Sequence, residues 1–164
     1  MKLTKLSVLL LLVITIFTSC EKETEEEVNV FKFTIGTTVN DFSSNIETGT
    51  NLYGDKLIKA TKEDNLLTIT LDKWTAGTFT EENYNDGANG SDYNISYYMD
   101  NKTYRYDKNR SNSNFEINIT QAGTTAGSKI KGTFKAYLFY NSYIGTTGND
   151  SIEITNGTFT TLLD

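Results

Sequence analysis

The sequence predicts an all-β fold, either an antiparallel β-sandwich or a barrel-like domain, that follows an N-terminal lipoprotein signal peptide. Three observations lead to the β prediction. Apolar and polar residues alternate with a period of two, polar clusters separate the alternating runs, and helical patterns are nearly absent after residue 19. Alternation with a period of two is typical of strands with one buried face. Many short strands joined by polar turns are typical of antiparallel sandwiches and barrels.

The alternating runs give the predicted strands in chain order. They are residues 31–35, 67–71, 93–99, 115–119, 130–140 and 152–154. Turn-forming clusters lie between these runs at 62–65, 85–87, 100–101 and 145–150. Asn156-Gly157 interrupts the last apolar run, and this pair offers the backbone freedom of a turn or a bulge. The chain has no proline, so cis-proline turns are excluded.

The N-terminus has the parts of a secretory signal. Lys2 and Lys5 precede an apolar run at 6–17, which is too short to span a bilayer as a helix of about 20 residues. Residues 17–20, Phe-Thr-Ser-Cys, resemble the lipobox of bacterial lipoproteins. The resemblance implies cleavage before Cys20 and a thioether between its sulfur and a diacylglycerol. An ordinary cleaved signal or a single-pass anchor is the alternative, although the only cysteine of the chain stands where lipidation needs it.

Residues 21–27, Glu-Lys-Glu-Thr-Glu-Glu-Glu, are expected to form a flexible tether. A run this acidic cannot bury enough apolar surface to offset the entropy of ordering it. It resembles the acidic stretch after the cysteine in surface-exported lipoproteins of the Bacteroidota, which implies a place on the outer face of the outer membrane. A solvated spacer without a sorting role is the alternative. The predicted organisation is a signal peptide at 1–19, a tether at 20–27 and a single β domain at 28–164.

Two C-terminal segments carry a further resemblance. Gly132-Thr133-Phe134 and residues 154–159, Ile-Thr-Asn-Gly-Thr-Phe, resemble the "GTF" and "ITNGxF" strands that close the β-sandwich of small surface lipoproteins of the Bacteroidota. Residues 67–69 and 76–79 fit the same plan, so the resemblance covers most of the mature chain. It implies a fold and a location, and it implies no activity.

The charge of the chain bears on its partners. The formal net charge is −6, and removal of Lys2 and Lys5 with residues 1–19 changes it to −8. A protein this acidic is not attracted to phosphate backbones or anionic headgroups, so we expect no nucleic-acid partner. Membrane contact is assigned to the N-terminal lipid, whose two acyl chains suffice for stable anchoring.

The residue types argue against catalysis and against a cofactor. The chain has no histidine, which removes serine-histidine nucleophile systems and the common zinc site. Paired carboxylates remain the one route to hydrolysis, and each candidate has a simpler role on a solvated surface. The candidates are Asp72, Glu81, Glu82, Asp92, Asp107, Glu116 and Glu153. The 83–92 loop has oxygen ligands suited to calcium but lacks the spacing of a known calcium loop, so no metal site is assigned.

Aromatic residues give the best functional hint. Trp74, Tyr97, Tyr98 and Tyr137 are the candidate ligand-binding residues, because exposed rings with amide neighbours are used to bind sugars and peptides. The alternative is that loops or a second layer bury both faces of these strands. Three functions follow: a non-catalytic glycan- or ligand-binding module with at least three exposed rings on one face, a structural or accessory subunit of a cell-envelope complex, and, ranked last, a carboxylate-based hydrolase.

Overall fold

The computed structural model describes residues 28–83, 93–141 and 147–164. These segments hold eleven strands, one short 3-10 helix at Glu81–Asn83 and no α-helix, which confirms the all-β prediction. The strands are β1 (Val30–Ile35), β2 (Thr38–Asp41), β3 (Ile46–Thr50), β4 (Lys56–Lys62), β5 (Asn65–Leu71), β6 (Gly77–Thr80), β7 (Asn94–Met99), β8 (Lys102–Arg105), β9 (Asn114–Ala122), β10 (Lys129–Asn141) and β11 (Thr147–Leu162).

All strand pairs are antiparallel and form one sheet in the order β2-β1-β11-β10-β8-β7-β5-β4-β3. The remaining pairs join β9 to β10 and β6 to β9, so β8 and β9 share one edge of the long strand β10. The sheet curls on itself. The Thr48 N–H in β3 donates to Asp164 Oδ2 at 3.1 Å, and Thr48 Oγ1 donates to the Leu162 carbonyl at 3.3 Å. The first and last parts of the described chain therefore meet at this seam.

The concave face of the curled sheet holds the core. Its aromatic centre is built from phenyl rings of three strands: Phe31 and Phe33 of β1, Phe134 of β10 and Phe159 of β11. Each of these side chains is at most 4% exposed. Alternate residues of β5, β7 and β9 complete the core, mostly with aliphatic side chains and also with Tyr97 and Phe115. In β1, β5, β7 and β9, the predicted alternation therefore identifies the buried face.

Several strands were not predicted. Strand β4 was missed although its Ile58 and Ala60 side chains are buried, whereas β2, β3 and β8 have a weak apolar signal. In β2 no side chain is buried, and in β3 most are exposed. Strand β8 has four residues and a single buried side chain, Tyr104. Hydrogen bonds to neighbouring strands hold these segments in the sheet, because β structure depends on pairing as much as on local propensity.

The predicted turns are partly confirmed. Asp100 and Asn101 form a two-residue hairpin loop with φ of 52° and 60°, which is the backbone of a type I′ turn. Glu63, in the loop that joins β4 to β5, has a φ of 53°. The turn predicted at 145–150 is wrong for residues 147–150, which begin β11 because Thr147 pairs with Asn141 and extends the ladder along β10.

Some predictions fall on residues outside the described part of the chain. These residues are the signal peptide, Cys20 and the tether at 1–27, the turn at 85–87 and residues 84–92 of the polar loop considered for calcium. Within 28–83, 93–141 and 147–164, no helix has the length and apolar character needed to cross a membrane.

Candidate functional site

A cavity of about 540 Å³ lies where two hairpin loops stand side by side. One loop joins β4 to β5, the other joins β7 to β8, and β5 pairs with β7 in the sheet. Antiparallel pairing therefore brings both loops to the same end of these strands. The lining residues are Glu63, Asp64, Asn65, Tyr98, Asp100 and Asn101. We call this depression the Tyr98 cavity, and its volume falls within the range of small-molecule sites.

Among the described residues, Tyr98 supplies the one aromatic ring that lines this cavity. On β7, Ile95 and Tyr97 point into the core, so Tyr98 points to the opposite face of the sheet. Its hydroxyl donates a hydrogen bond of 2.9 Å to Asn101 Oδ1. This bond ties the ring to the type I′ turn. The ring is thereby oriented before any ligand arrives, which reduces the entropy cost of binding.

Oxygen atoms dominate the polar wall of the Tyr98 cavity. Glu63, Asp64 and Asp100 contribute carboxylates, and Asn65 and Asn101 contribute amides. The three carboxylates belong to exposed loop residues. In the described part of the chain, no group of three or more His, Cys, Asp or Glu side chains is placed to hold a metal ion. The wall therefore offers carboxylate and amide oxygens as hydrogen-bond acceptors.

One lysine follows the cavity along the chain but is engaged elsewhere. Lys102 Nζ lies 2.6 Å from Asp150 Oδ2 and 5.6 Å from the centre of the Tyr140 ring. The Tyr104 hydroxyl donates to the same carboxylate at 3.1 Å. Hydrogen bonds from Lys102 and then Tyr104 lower the pKa of Asp150, while burial raises the pKa of Tyr104. This cluster fixes the start of β11 to β8.

Comparison with protein-family models, curated proteins and solved structures finds no match for this chain. The resemblance to surface lipoproteins of the Bacteroidota stays a prediction.

Tyr97 is a core residue, so its predicted role as a surface contact is wrong. The side chain is 1% exposed, and its ring centre lies 5.5 Å from that of Phe33 and 6.3 Å from that of Phe42. The physical reason is strand parity, because the core face of β7 begins at Ile95 and includes every second residue. Of the adjacent tyrosines, only Tyr98 is available to a ligand.

Trp74 and Tyr137 are both half-buried and lie apart from the Tyr98 cavity. Trp74 packs against the hydrophobic core. The Tyr137 hydroxyl lies 3.1 Å from Ser151 Oγ, and its ring centre is 5.5 Å from that of Phe139. Phe139 in turn is covered by the Arg110 guanidinium, 4.7 Å from its ring centre. A loop therefore buries much of this aromatic face, as the alternative interpretation expected.

The structure does not show three exposed rings on one face. Among the described aromatic residues, only Tyr53 is mostly exposed, at 84%. Sequence reasoning missed Tyr53, because it stands in a short loop without an alternating pattern. It also missed Glu63 and Asp100 as wall residues, because only the pairing of β5 with β7 brings their two loops together.

The carboxylates proposed for hydrolysis are dispersed or engaged in ion pairs. Glu116 pairs with Lys135 at 3.0 Å, and Asp107 pairs with Arg110 at 3.7 Å. A cavity of about 350 Å³ contains Glu116 as its only carboxylate, and another of about 100 Å³ contains only Glu153. Neither cavity supplies the second carboxyl that glycoside hydrolysis uses. Asp72, Glu81 and Glu82 line neither of these cavities, and Asp92 lies outside the described residues.

Proposed function

We propose that this chain is a lipid-anchored, non-catalytic binding module of the outer-membrane surface that takes a neutral glycan in the Tyr98 cavity. The observation that carries the proposal is the oriented Tyr98 ring beside a wall of carboxylate and amide oxygens. A flat apolar platform and fixed hydrogen-bonding groups are the two elements that a sugar site needs. The anchor is Cys20, held to lipid through a thioether.

The chemistry of the cavity favours one class of glycan. The apolar C–H face of a hexose stacks on an aromatic ring, and its hydroxyl groups donate to carboxylate and amide oxygens. Glu63, Asp64 and Asp100 repel the carboxylate of a uronic acid or a sialic acid, because like charges at short range are unfavourable. We therefore expect binding of neutral sugars or protonated amino sugars, and weak binding of acidic ones.

The strand directions support display of the site to the outside. The chain enters β1 at Val30, beside Thr160 near the C-terminal end of β11. When the antiparallel pairs are followed from β1 to β7 and β5, both loops of the Tyr98 cavity lie at the end of the sheet opposite to the start of β1. A tether that leaves from Val28 therefore holds the domain with the cavity directed away from the membrane.

A binding role fits the cavity better than hydrolysis does. Retaining and inverting glycosidases need one carboxyl that stays protonated near neutral pH, which an apolar or buried setting provides. The three cavity carboxylates stand on exposed loops and have no such setting. They are therefore hydrogen-bond acceptors in this proposal.

The test is binding of the full chain to a glycan array that includes neutral, amino and acidic sugars. We expect signals on neutral or amino sugars that Tyr98→Ala abolishes and Tyr98→Phe retains in part, since Phe keeps the ring but loses the bond to Asn101. Tyr53→Ala is the matched control, because it removes an exposed tyrosine from the loop before β4, whereas the cavity lies at the loop after β4. Equal binding by wild type and Tyr98→Ala, or no binding to any sugar, would overturn the proposal.

A further inference from the structure

Exposed apolar side chains concentrate at one end of the fold. Five large apolar residues of the described chain are mostly or substantially exposed. Leu52 is 101% exposed and Tyr53 84%, both at the tip of the loop between β3 and β4, while Val28 and Leu162 are 40% and 42% exposed. Only Val39, on the edge strand β2, lies elsewhere. We call Val28, Leu52, Tyr53 and Leu162 the apolar rim.

Backbone pairing places the rim residues together. Strands β3 and β11 run in the same direction, because an even number of antiparallel steps separates them in the sheet. Their C-terminal ends therefore share one end of the fold, and Thr48 of β3 contacts both Leu162 and Asp164 directly. Leu52 follows Thr48 by four residues, a reach of at most about 14 Å. Val28 enters here too, since Thr161 Oγ1 donates to Asn29 Oδ1 at 3.3 Å.

The loop that carries Leu52 and Tyr53 is held rigidly by its own base. Asn51 Oδ1 accepts the N–H groups of Tyr53 and Asp55 at 2.8 and 3.0 Å, and Asn51 Nδ2 donates to Asp55 Oδ2 at 2.9 Å. The Asp55 side chain is only 5% exposed. A loop held this way presents its two apolar side chains without a further ordering cost on binding.

We infer that the apolar rim rests in the interfacial region of the bilayer to which the chain is anchored, with Leu52 and Tyr53 inserted among the headgroups. This inference rests on the lipid anchor of the proposed function. Seven residues lie between Cys20 and Val28, and these eight Cα–Cα steps keep Val28 within about 28 Å of the lipid attachment point. An exposed Leu-Tyr pair is the residue chemistry of the bilayer interface, where a tyrosine keeps its hydroxyl in water and its ring at the level of the headgroups.

The charges near the apolar rim and on the whole protein indicate which kind of lipid surface the rim contacts. Lys56, at the base of the loop, donates to Thr50 Oγ1 at 3.2 Å and places one ammonium group near the headgroups. Asp164 lies at the same end, and the protein after residue 19 has a net charge of −8. The contact is therefore driven by apolar insertion, and an anionic surface weakens it through repulsion.

The test uses the full lipidated chain in phosphatidylcholine vesicles. With Cys20 modified by lipid, a Leu52→Cys variant carries the only free thiol, which takes an environment-sensitive fluorophore. Val39→Cys, labelled in the same way, is the matched control, because Val39 is also exposed and apolar but lies off the rim. We expect the Leu52 label to shift its emission to shorter wavelength and to lose most of that emission when spin-labelled lipid is added. The Val39 label keeps its emission in both cases.

Each contrary result identifies what has failed. If the protein floats with the vesicles but both labels respond as in water, the anchor stands and the membrane contact of the rim is overturned. If the Leu52 label shifts only when a second envelope protein is added, the rim is a protein-docking surface and the inference is equally overturned. If the chain does not associate with vesicles at all, the lipid anchor and the rim contact fail together.

Discussion

The phenyl ring of Phe134 lies directly over Gly157, its partner across the β10–β11 pair. A Cβ atom at Gly157 would stand 2.7 Å from the ring and 2.5 Å from the Phe134 carbonyl oxygen. The converse contact also occurs, because Phe159 covers Gly132, its own partner on β10. The two Gly-Thr-Phe segments thus interlock, each glycine making room for the ring of the other segment at the centre of the core.

Gly157→Ala is expected to destabilise the fold by about 1–3 kcal/mol, the usual cost of overpacking a core. The carbonyl of Phe134 is part of the strand backbone and cannot move aside, so the added methyl group must displace β11. Urea unfolding measures the difference. Gly49→Ala is the matched control, since no atom lies within 4 Å of its Cβ position, and it is expected to be neutral or slightly stabilising. Equal stability of Gly157→Ala and Gly49→Ala would contradict the claim that Gly157 makes room for the Phe134 ring.

A sequence pattern predicts these strands but not their interlock. Alternation identifies Phe134 and Phe159 as core residues, since it depends only on neighbours in the chain. The register that sets each ring over a glycine comes from pairing between segments about 25 residues apart, which no local pattern contains. Of the turn or bulge predicted at Asn156-Gly157, the structure has the bulge, and that prediction rests on the local backbone freedom of the pair.

The second prediction concerns the bulge residue Asn156. Its φ is 51°, and the register of β11 slips against both neighbouring strands at this point. Asn156→Val is expected to cost about 1–2 kcal/mol of unfolding free energy, because left-handed backbone is unfavourable for residues with a Cβ branch. Asn156→Gly is the control and should retain or improve stability. Thermal unfolding of both variants measures this, and an unchanged midpoint for Asn156→Val would refute it.

The third prediction is an alkaline loss of stability through Tyr97. Burial, and secondly the charge of Asp100, raise the pKa of Tyr97 to about 12. The folded state then retains a proton that the unfolded state releases from pH 10 upward, so stability falls as pH rises from 10 to about 12. In urea unfolding between pH 10 and about 12, the free energy of unfolding of Tyr97→Phe should fall less steeply than that of wild type. Tyr98→Phe, which removes a hydroxyl from the outer face, should leave the decrease in place.

The fourth prediction concerns Asp150 at acid pH. The hydrogen bond from Lys102 is the main cause of the lowered pKa of Asp150. The stabilisation from this bond is therefore fully present above the ordinary pKa of 3.8 and is lost as pH falls through the lowered pKa. Asp150→Asn should therefore show a shallower loss of thermal stability below pH 4 than wild type does. Glu153→Gln, at an exposed carboxylate of the same strand, should behave as wild type. If Asp150→Asn lost thermal stability below pH 4 as steeply as wild type, the stabilising role of the hydrogen bonds from Lys102 and Tyr104 to Asp150 would be contradicted.

The candidate site was only partly predictable from the sequence. The pair Tyr97-Tyr98 indicates that one ring must face away from the core, but the parity of β7 decides which one. Glu63, Asp64 and Asn65 in the cavity wall come from a loop more than 30 residues earlier in the chain, which the β5–β7 pairing brings beside Tyr98. Tyr137 and Phe139 lie on the strand parity that the sequence leaves facing outward, but the Arg110 guanidinium covers Phe139 and the Phe139 ring packs beside that of Tyr137.

We propose that the anchored protein binds a glycan in the Tyr98 cavity, at the end of the fold opposite to its lipid anchor. Capture of vesicles that carry the lipidated full chain, on beads bearing the neutral sugar that binds best on the array, tests it most directly. We predict that wild-type vesicles are retained, that Tyr98→Ala vesicles pass through, and that Cys20→Ala protein never joins the vesicles. Retention of Tyr98→Ala vesicles at the wild-type level, or association of Cys20→Ala protein with lipid as strong as wild type, would contradict the account.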